Sequence, residues 1–257
     1  MKEFHNDYDR KSWLKYLPDN IDLKQPRENF EQSGMLNVDK PSGITSMDVL
    51  RVLKKVGPIK KAGHGGTLDP MASGVLPVFL NRATKVSGDY LGANKTYEGE
   101  FILGQSTDTQ DITGKPVGEK SIVDPELTLA VVNEEASILQ GEILQLPPIY
   151  SALKKGGKPL YKLARQGIEV LPEKRPVTVD KFTIIEKKST TLFSFIVECQ
   201  KGVYVRTLVH DLGQILGFGA TLSSLRRLEV GHLSVETSVP LEKLQSADDI
   251  EKHLIVI

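Results

Sequence analysis

Apolar and polar positions change period several times along the chain, and each change marks an element. "TYEGEFILG" alternates, with Tyr97, Gly99, Phe101 and Leu103 on one face and Glu98 and Glu100 on the other, which predicts a strand with Tyr97 near its start. "LFSFIVEC" repeats the pattern, placing Phe193, Phe195, Val197 and Cys199 on one side. Upstream, "GMLNV" predicts a short strand and "KPSGITS" a turn. Thr45 and Asp48 then have the spacing of a capping box for the helix "DVLRVLKKV", which Gly57 and Pro58 stop. "GVLPVFL" is a mostly apolar strand that Pro77 is expected to push towards an edge or a bulge, because proline cannot donate to a ladder. "LTLAVVNEEASILQG" has helical spacing up to a glycine stop at Gly141. After Cys199 a glycine turn leads to a second short strand, with Tyr204 and Arg206 on one face, and then to a helix aligning Leu208, Leu212, Ile215 and Leu216. Adjacent strands joined by short turns favour an α+β fold, a mixed and mainly antiparallel central sheet with flanking helices, over a doubly wound one.

The composition fits that fold: 257 residues, 39% hydrophobic and 26% charged, are enough for one sizeable core. Residues 1–34 are polar, carry the only tryptophan, Trp13, and read as a weakly tied extension to a domain spanning 35–257. No stretch approaches the roughly 20 apolar residues of a membrane helix, and the first twenty residues have neither the apolar run of a signal peptide nor the acid-poor character of a transit sequence. The single cysteine, Cys199, excludes an internal disulfide framework and a cysteine-rich zinc site, and suits the cytoplasm. Formal charge is zero, so any affinity for nucleic acid must come from local clusters. "LKKGGKPLYKLARQG" is one: Lys154, Lys155, Lys158, Lys162 and Arg165 occur without an acid, around a glycine pair and with Tyr161 interleaved. Arg226 and Arg227 form a second. Such a run is usually a solvated face, but it also suits an acidic partner gripped in a groove.

The densest chemical candidate is "GHGGTLDPMASG", residues 63–74, which sets Asp69 against Pro70 in a glycine-rich loop. It lacks the G-x-x-x-x-G-K-[ST] of a phosphate loop, has Leu68 where a dinucleotide fingerprint needs glycine, and lacks the first glycine of a nucleophile elbow at Ser73. By itself Asp-Pro is a common turn initiator, so the local sequence favours a structural turn. The histidines at 5, 64, 210, 232 and 253 form no H-x-x-x-H, and no metal site is expected. "DTQDITG", residues 108–114, imitates a calcium loop, but Gln110 breaks the ligand pattern and a solvated turn is the better reading.

Four ordered blocks, "MLNVDKPSGITS", "AGHGGTLDPMASGVLPV", "KTYEGEFILGQSTDTQDITG" and "KGVYVRTLVHDLGQILGFGATLSSLRR", resemble the tRNA pseudouridine-55 synthases of the TruB type over about residues 35–240. A fifth, "LPPIYSALKKGGKPLYKLARQGIEV", resembles that family's RNA-gripping thumb, about residues 145–175. The resemblance implies the pseudouridine synthase fold, here without a C-terminal PUA domain, and isomerisation of uridine 55 in the T loop of tRNA with no cofactor. It implies that Asp69 is the catalytic aspartate acting on a flipped-out base, that His64 fills the vacated space, and that Tyr97 stacks on the uracil and removes its C5 proton. Arg206 matches the arginine that pairs with the aspartate; Tyr204 and Leu225 line the pocket, Lys40 supports it, and Lys154 and Lys158 belong to the substrate-binding thumb. The implied partner is the tRNA T stem-loop, with no membrane and no protein partner, the enzyme acting as a monomer. Gly65 stands where the family usually has threonine, and Thr221 where histidine is common. The runner-up is an RNA-binding or tRNA-folding factor with little catalysis, motivated by Gly65, the missing PUA domain and the basic thumb. A third reading, the catalytic subunit of a guide-RNA complex, is disfavoured by the absence of that domain.

Overall fold

The computed structural model describes residues 11–19, 32–151, 153–160, 163, 166 and 172–257. In chain order a three-ten helix (Ser12–Tyr16) precedes β1 (Gly34–Lys40), α1 (Ser46–Val56), β2 (Ala62–His64), β3 (Ser73–Leu80), α2 (Ser87–Gly92) and β4 (Lys95–Leu103). A small pair, β5 (Ser106–Thr107) and β6 (Pro116–Val117), is followed by α3 (Leu129–Ser137), β7 (Gly141–Gln145) and a second pair, β8 (Lys154–Lys155) and β9 (Lys158–Pro159). Then come β10 (Arg175–Lys187), β11 (Leu192–Cys199), α4 (Val205–Ile215), β12 (Ala220–Val230), β13 (Leu233–Ser234), β14 (Val239–Pro240) and α5 (Ala247–Lys252). The described residues divide into two compact units, one of residues 98–224, the other of residues up to 97 together with 225–257. Each unit carries mixed or antiparallel sheet with helices against it, the α+β arrangement expected.

In the unit built from both ends of the chain, β3 is the hub. It pairs antiparallel with β1 from Gly74 to Leu80, antiparallel with β2 at Val78–Leu80, and parallel with β12 at Ser73 and Gly74. β14 runs parallel to β1, and β13 folds back on the end of β12. α1 starts as its sequence predicts: Thr45 accepts from the Asp48 N–H at 3.1 Å while the Asp48 carboxylate accepts from the Thr45 N–H at 2.9 Å. Its Val49, Val52, Leu53 and Val56 bury against Leu36 and Val38 of β1 and Leu76, Val78 and Leu80 of β3.

Two expectations fail in this unit. Pro77 does not sit on an edge, because β3 is paired on both sides. Its carbonyl accepts the Gly65 N–H at 2.9 Å, so its nitrogen also faces that side, where β12 pairs only with Ser73 and Gly74 and β2 ends opposite Val78. The missing donor falls where no ladder bond is needed. Nor is the stretch before β1 wholly loose: Tyr16 is buried in the α1 core, with Trp13 and Leu17 packed against it. Three apolar side chains suffice to seat a segment whose average composition is polar.

In the other unit the strand order is β4-β11-β10-β7, with β11 and β7 each antiparallel to β10. The alternation read in β4 and β11 buries Phe101, Leu103, Phe193, Phe195, Val197 and Cys199. Phe101 and Phe193 stack at 5.4 Å, and Phe195 meets Phe182 of β10 edge-on at 5.7 Å. α3 ends at Ser137, short of the predicted stop, and Gly141 opens β7 instead. β7 ends at Gln145, since Pro147 and Pro148 cannot donate to a continuing ladder. The second short strand expected around Tyr204 is absent; Val205 already begins α4 and Tyr204 is its N-cap. Among the described residues no helix is long and apolar enough to cross a membrane.

Candidate active site

The loop carrying Asp69 runs from the end of β2 to the start of β3 and is riveted on both sides of the carboxylate. Ser46, the first residue of α1, donates its hydroxyl to the Leu68 carbonyl at 3.1 Å and accepts the Leu68 N–H at 2.8 Å. Beyond Asp69, the Gly43 N–H donates to Pro70 O at 2.8 Å and the Ser42 hydroxyl to Met71 O at 2.7 Å. The Asp69 carbonyl closes the turn by accepting from the Ala72 N–H at 3.1 Å. This glycine-rich loop is therefore fixed by the turn that caps α1, and it holds the Asp69 side chain half-buried.

Two buried cations support this loop. Lys40, fully buried, donates to the carbonyls of Pro41 at 2.9 Å, Ile44 at 2.8 Å and Pro70 at 3.5 Å. Burial lowers its pKa from 10.5 to about 7; Asp69 opposes the shift, Arg227 adds to it and Asp39 opposes it. Arg227, 1% exposed, donates Nε to Val75 O at 2.7 Å and one terminal nitrogen to Gly66 O at 3.2 Å. Its backbone runs so close to Gly74 that a Cβ there would lie 2.2 Å from the Arg227 carbonyl, and Gly74 has φ +105°. Glycine is obligatory at that pairing. The expected second basic cluster is thus corrected: Arg227 is structural, and Arg226 forms a fork with Asp39 at 3.1 and 2.7 Å. Their consecutive positions suggest a basic patch in the sequence, but the strand sends alternate side chains to opposite faces and so separates them.

The same unit holds His64, Tyr97 and Leu225. His64 ends β2, half-buried; burial, with Arg227 near, lowers its pKa and favours the neutral ring. Tyr97 is buried in β4, two residues after Lys95, whose ammonium donates to the carbonyls of Leu91 and Ala93 and so joins the end of α2 to the strand. Leu225 is buried in β12. Gly65 has a steric reason: a Cβ there would lie 2.7 Å from the Tyr90 Cβ and 3.2 Å from the Phe79 ring.

Tyr204 and Arg206 belong to the other unit. Arg206, in the first turn of α4 and buried, donates to the Tyr150 carbonyl at 2.8 Å and lies 3.7 Å from the Asp111 carboxylate. The other oxygen of Asp111 accepts from the Thr109 hydroxyl at 2.8 Å, the Thr113 N–H at 2.9 Å and the Thr113 hydroxyl at 2.5 Å. The solvated turn read at 108–114 is therefore corrected: Asp111 is buried, oriented by two threonines, and presents its free edge to a guanidinium. Sequence reasoning missed it, although an aspartate flanked by threonines that can bond its own oxygens was the available signal. Lys154 lies in β8; Lys158, in β9, is exposed. Of the expected thumb residues, Tyr161, Lys162 and Arg165 lie outside the described residues. Thr221 donates to Gln105 O at 2.7 Å, which makes it a structural tie.

Two family models match the chain: a TruB family pseudouridylate synthase N-terminal domain over residues 54–205 and a tRNA pseudouridylate synthase B C-terminal domain over residues 206–254. A tRNA pseudouridine synthase B of Endomicrobium trichonymphae is 40% identical over 233 residues, 91% of this chain and 99% of its own length. Another, from Azoarcus sp. (strain BH72), is 47% identical over 214 residues, 83% of this chain and 70% of its own. A crystal structure of a Cbf5-Nop10-Gar1 complex contains a chain of similar fold, TM-score 0.63 and 31% identity, matching 88% of this chain but 59% of that one. The loop riveted around Asp69 and the cation-bearing helix start at Arg206 therefore sit in a known sequence context, and the chain belongs to the TruB family of pseudouridylate synthases.

Proposed function

We propose that this protein isomerises uridine to pseudouridine in tRNA, at position 55 of the T loop. The reading is carried by near-complete coverage of a relative of that activity, 99% of its length at 40% identity, in a chain whose Asp69 loop is rigidly presented. The reaction breaks the bond from uracil N1 to the sugar C1′, turns the base and joins C5 to C1′; the C5 proton leaves and N1 gains one, so nothing is added overall. The target base is stacked in the T arm and has to be extruded, at a cost of a few kcal/mol. Asp69 acts as nucleophile or base, which requires a carboxylate held in one place and sheltered from competing water. The bonds at Leu68, Pro70 and Met71 supply that fixity. Tyr97 takes the C5 proton late in the reaction, and His64, kept neutral by burial, fills the space the base leaves. Arg206 supplies a permanent guanidinium, and the Lys154 and Lys158 hairpin contacts the RNA backbone.

Release of tritium from a tRNA transcript labelled at uridine C5 tests this. Wild type releases the label, and Asp69→Asn slows release by roughly a thousandfold or more. Equal release by both would remove Asp69 from the chemistry, and tight tRNA binding without any conversion would favour an RNA-folding factor instead.

A further inference from the structure

We propose that Gln145 is a positioning residue for this reaction, its buried side-chain amide setting the start of α4 and with it the Tyr204 and Arg206 side chains. The inference rests on the function proposed above and concerns how its guanidinium is held. Gln145 is the last residue of β7 and is 1% exposed. Its Oε1 accepts the Tyr204 N–H at 2.8 Å, and its Nε2 donates to the Tyr204 carbonyl at 3.1 Å. A side-chain amide here does what a neighbouring strand would do, reading donor and acceptor of one residue at once.

Tyr204 is the point at which that grip has most effect. Tyrosine is not a residue type that caps a helix with its own side chain, yet Tyr204 is the N-cap, and its carbonyl also accepts the N–H groups of Thr207 at 3.0 Å and Leu208 at 3.1 Å. Fixing Tyr204 therefore fixes the first turn. Arg206 is two residues further on, its guanidinium carbon 5.8 Å from the Tyr204 ring centroid and its terminal nitrogen bonded to the carbonyl of Tyr150, five residues after Gln145. The Thr207 hydroxyl is anchored separately, donating to Gln110 Oε1 at 2.7 Å. The segment "QLPPIY" thus holds this helix start twice, by the Gln145 amide and by the Tyr150 carbonyl. Gln145 is also the first residue of the segment expected to grip RNA, but its amide is buried and bonded to Tyr204, so its loss should act on turnover and leave RNA affinity alone.

The test measures tritium release from 5-tritiated tRNA by the full chain and its variants Gln145→Met and Gln145→Glu, as kcat and KM. Gln145→Met keeps the volume and removes both bonds; kcat falls roughly 10- to 100-fold, as expected for a reacting group displaced by a fraction of an ångström, and KM stays within about threefold. In Gln145→Glu an ionised carboxylate faces the Tyr204 carbonyl, whereas the protonated acid again offers one donor and one acceptor. The ratio of its kcat to that of wild type therefore rises as pH is lowered from about 8 to about 6. A kcat for Gln145→Met within about twofold of wild type, or a loss confined to KM, overturns the inference. If Gln145→Met does not accumulate as folded protein, the Gln145→Glu ratio decides: a rise at low pH supports positioning and a flat ratio overturns it. Failure of wild type itself to release tritium would overturn the function, a result separate from a wild type that works and a Gln145→Met variant that works equally well.

Discussion

Around Asp69 the backbone is held largely by two buried basic side chains. Lys40 and Arg227, both buried, donate to the carbonyls of Pro41, Ile44, Pro70, Val75 and Gly66, helped by the hydroxyls of Ser42 and Ser46. Around Tyr204 the backbone is held by neutral groups, the amides of Gln145 and Gln110 and the Thr207 hydroxyl, while the Arg206 guanidinium bonds the Tyr150 carbonyl and faces Asp111. The difference has a physical basis. A cation can bond several carbonyls at once and also attract a carboxylate, which suits a loop that must present an anion. An amide reads one backbone residue with a donor and an acceptor, which suits a helix start whose own guanidinium should face no nearby competing cation. One clamp therefore includes a group that titrates near neutrality, whereas the amide and hydroxyl groups of the other carry no titratable proton.

The harshest way to break this contrast is Arg227→Leu. It leaves the Val75 and Gly66 carbonyls without these donors in a dry setting, and the unfolding free energy should fall by about 2–4 kcal/mol. Denaturant unfolding checks the value. A loss below about 0.5 kcal/mol would mean that the loop does not need the buried charge.

Next in size is the pH dependence contributed by Lys40. Its folded pKa, about 7, lies below its unfolded value, so between those values the unfolded chain holds a proton the folded one has released, and stability rises with pH. Between about pH 7 and 9 the gain should be about 2 kcal/mol. It is read as the difference in unfolding free energy between wild type and Lys40→Met, which cancels the other titrating groups. The neutral amine keeps two donors, enough for Pro41 and Ile44, and the 3.5 Å contact with Pro70 is the one it gives up. A difference that is flat with pH would put the Lys40 charge outside the clamp.

Gly65→Ala follows, at about 1–3 kcal/mol, because the added methyl carbon would lie 2.7 Å from the Tyr90 Cβ and must push α2 away from the loop. Adding Tyr90→Gly should recover part of the loss in thermal unfolding, which shortening the tyrosine to alanine should not, since the close contact is with the Cβ itself.

What the sequence makes legible is local. The Thr45–Asp48 capping box, the alternation in β4 and β11 and the position of Asp69 in a turn depend on residues a few places apart. What it hides depends on distant partners. "GVYVR" has β-branched residues and no capping residue, so it reads as strand; in the structure Val205 begins a helix, and the side chain that holds its N-cap, Gln145, is 59 positions away. Arg226 and Arg227 read as a basic surface until Asp39, Gly66 and Val75 are brought to them. Asp111 reads as solvated because Arg206 lies almost a hundred residues downstream. Pro77 reads as an edge residue because only the pairing on its far side shows where a donor is not required.

The smallest effect tests whether the neutral clamp is truly indifferent to pH. Asp211, on α4 five residues beyond Arg206, has its pKa raised by burial from 3.8 to about 6, with Lys174 pulling the other way. The folded protein holds this proton to a higher pH than the unfolded chain does, so ionisation costs stability, beginning above about 4 and complete above about 6. Asparagine imitates the protonated state. Asp211→Asn should therefore raise the thermal midpoint slightly at neutral pH and leave it unchanged near pH 4, the carboxylate being too solvated for a large gain. Its kcat should match wild type across the pH range, because the bonds from Gln145, Tyr150, Gln110 and Asp111 that hold this helix start do not pass through Asp211. A kcat that shifts with this substitution would show that charge on α4 reaches its first turn, and the neutral character of that clamp would have to be given up.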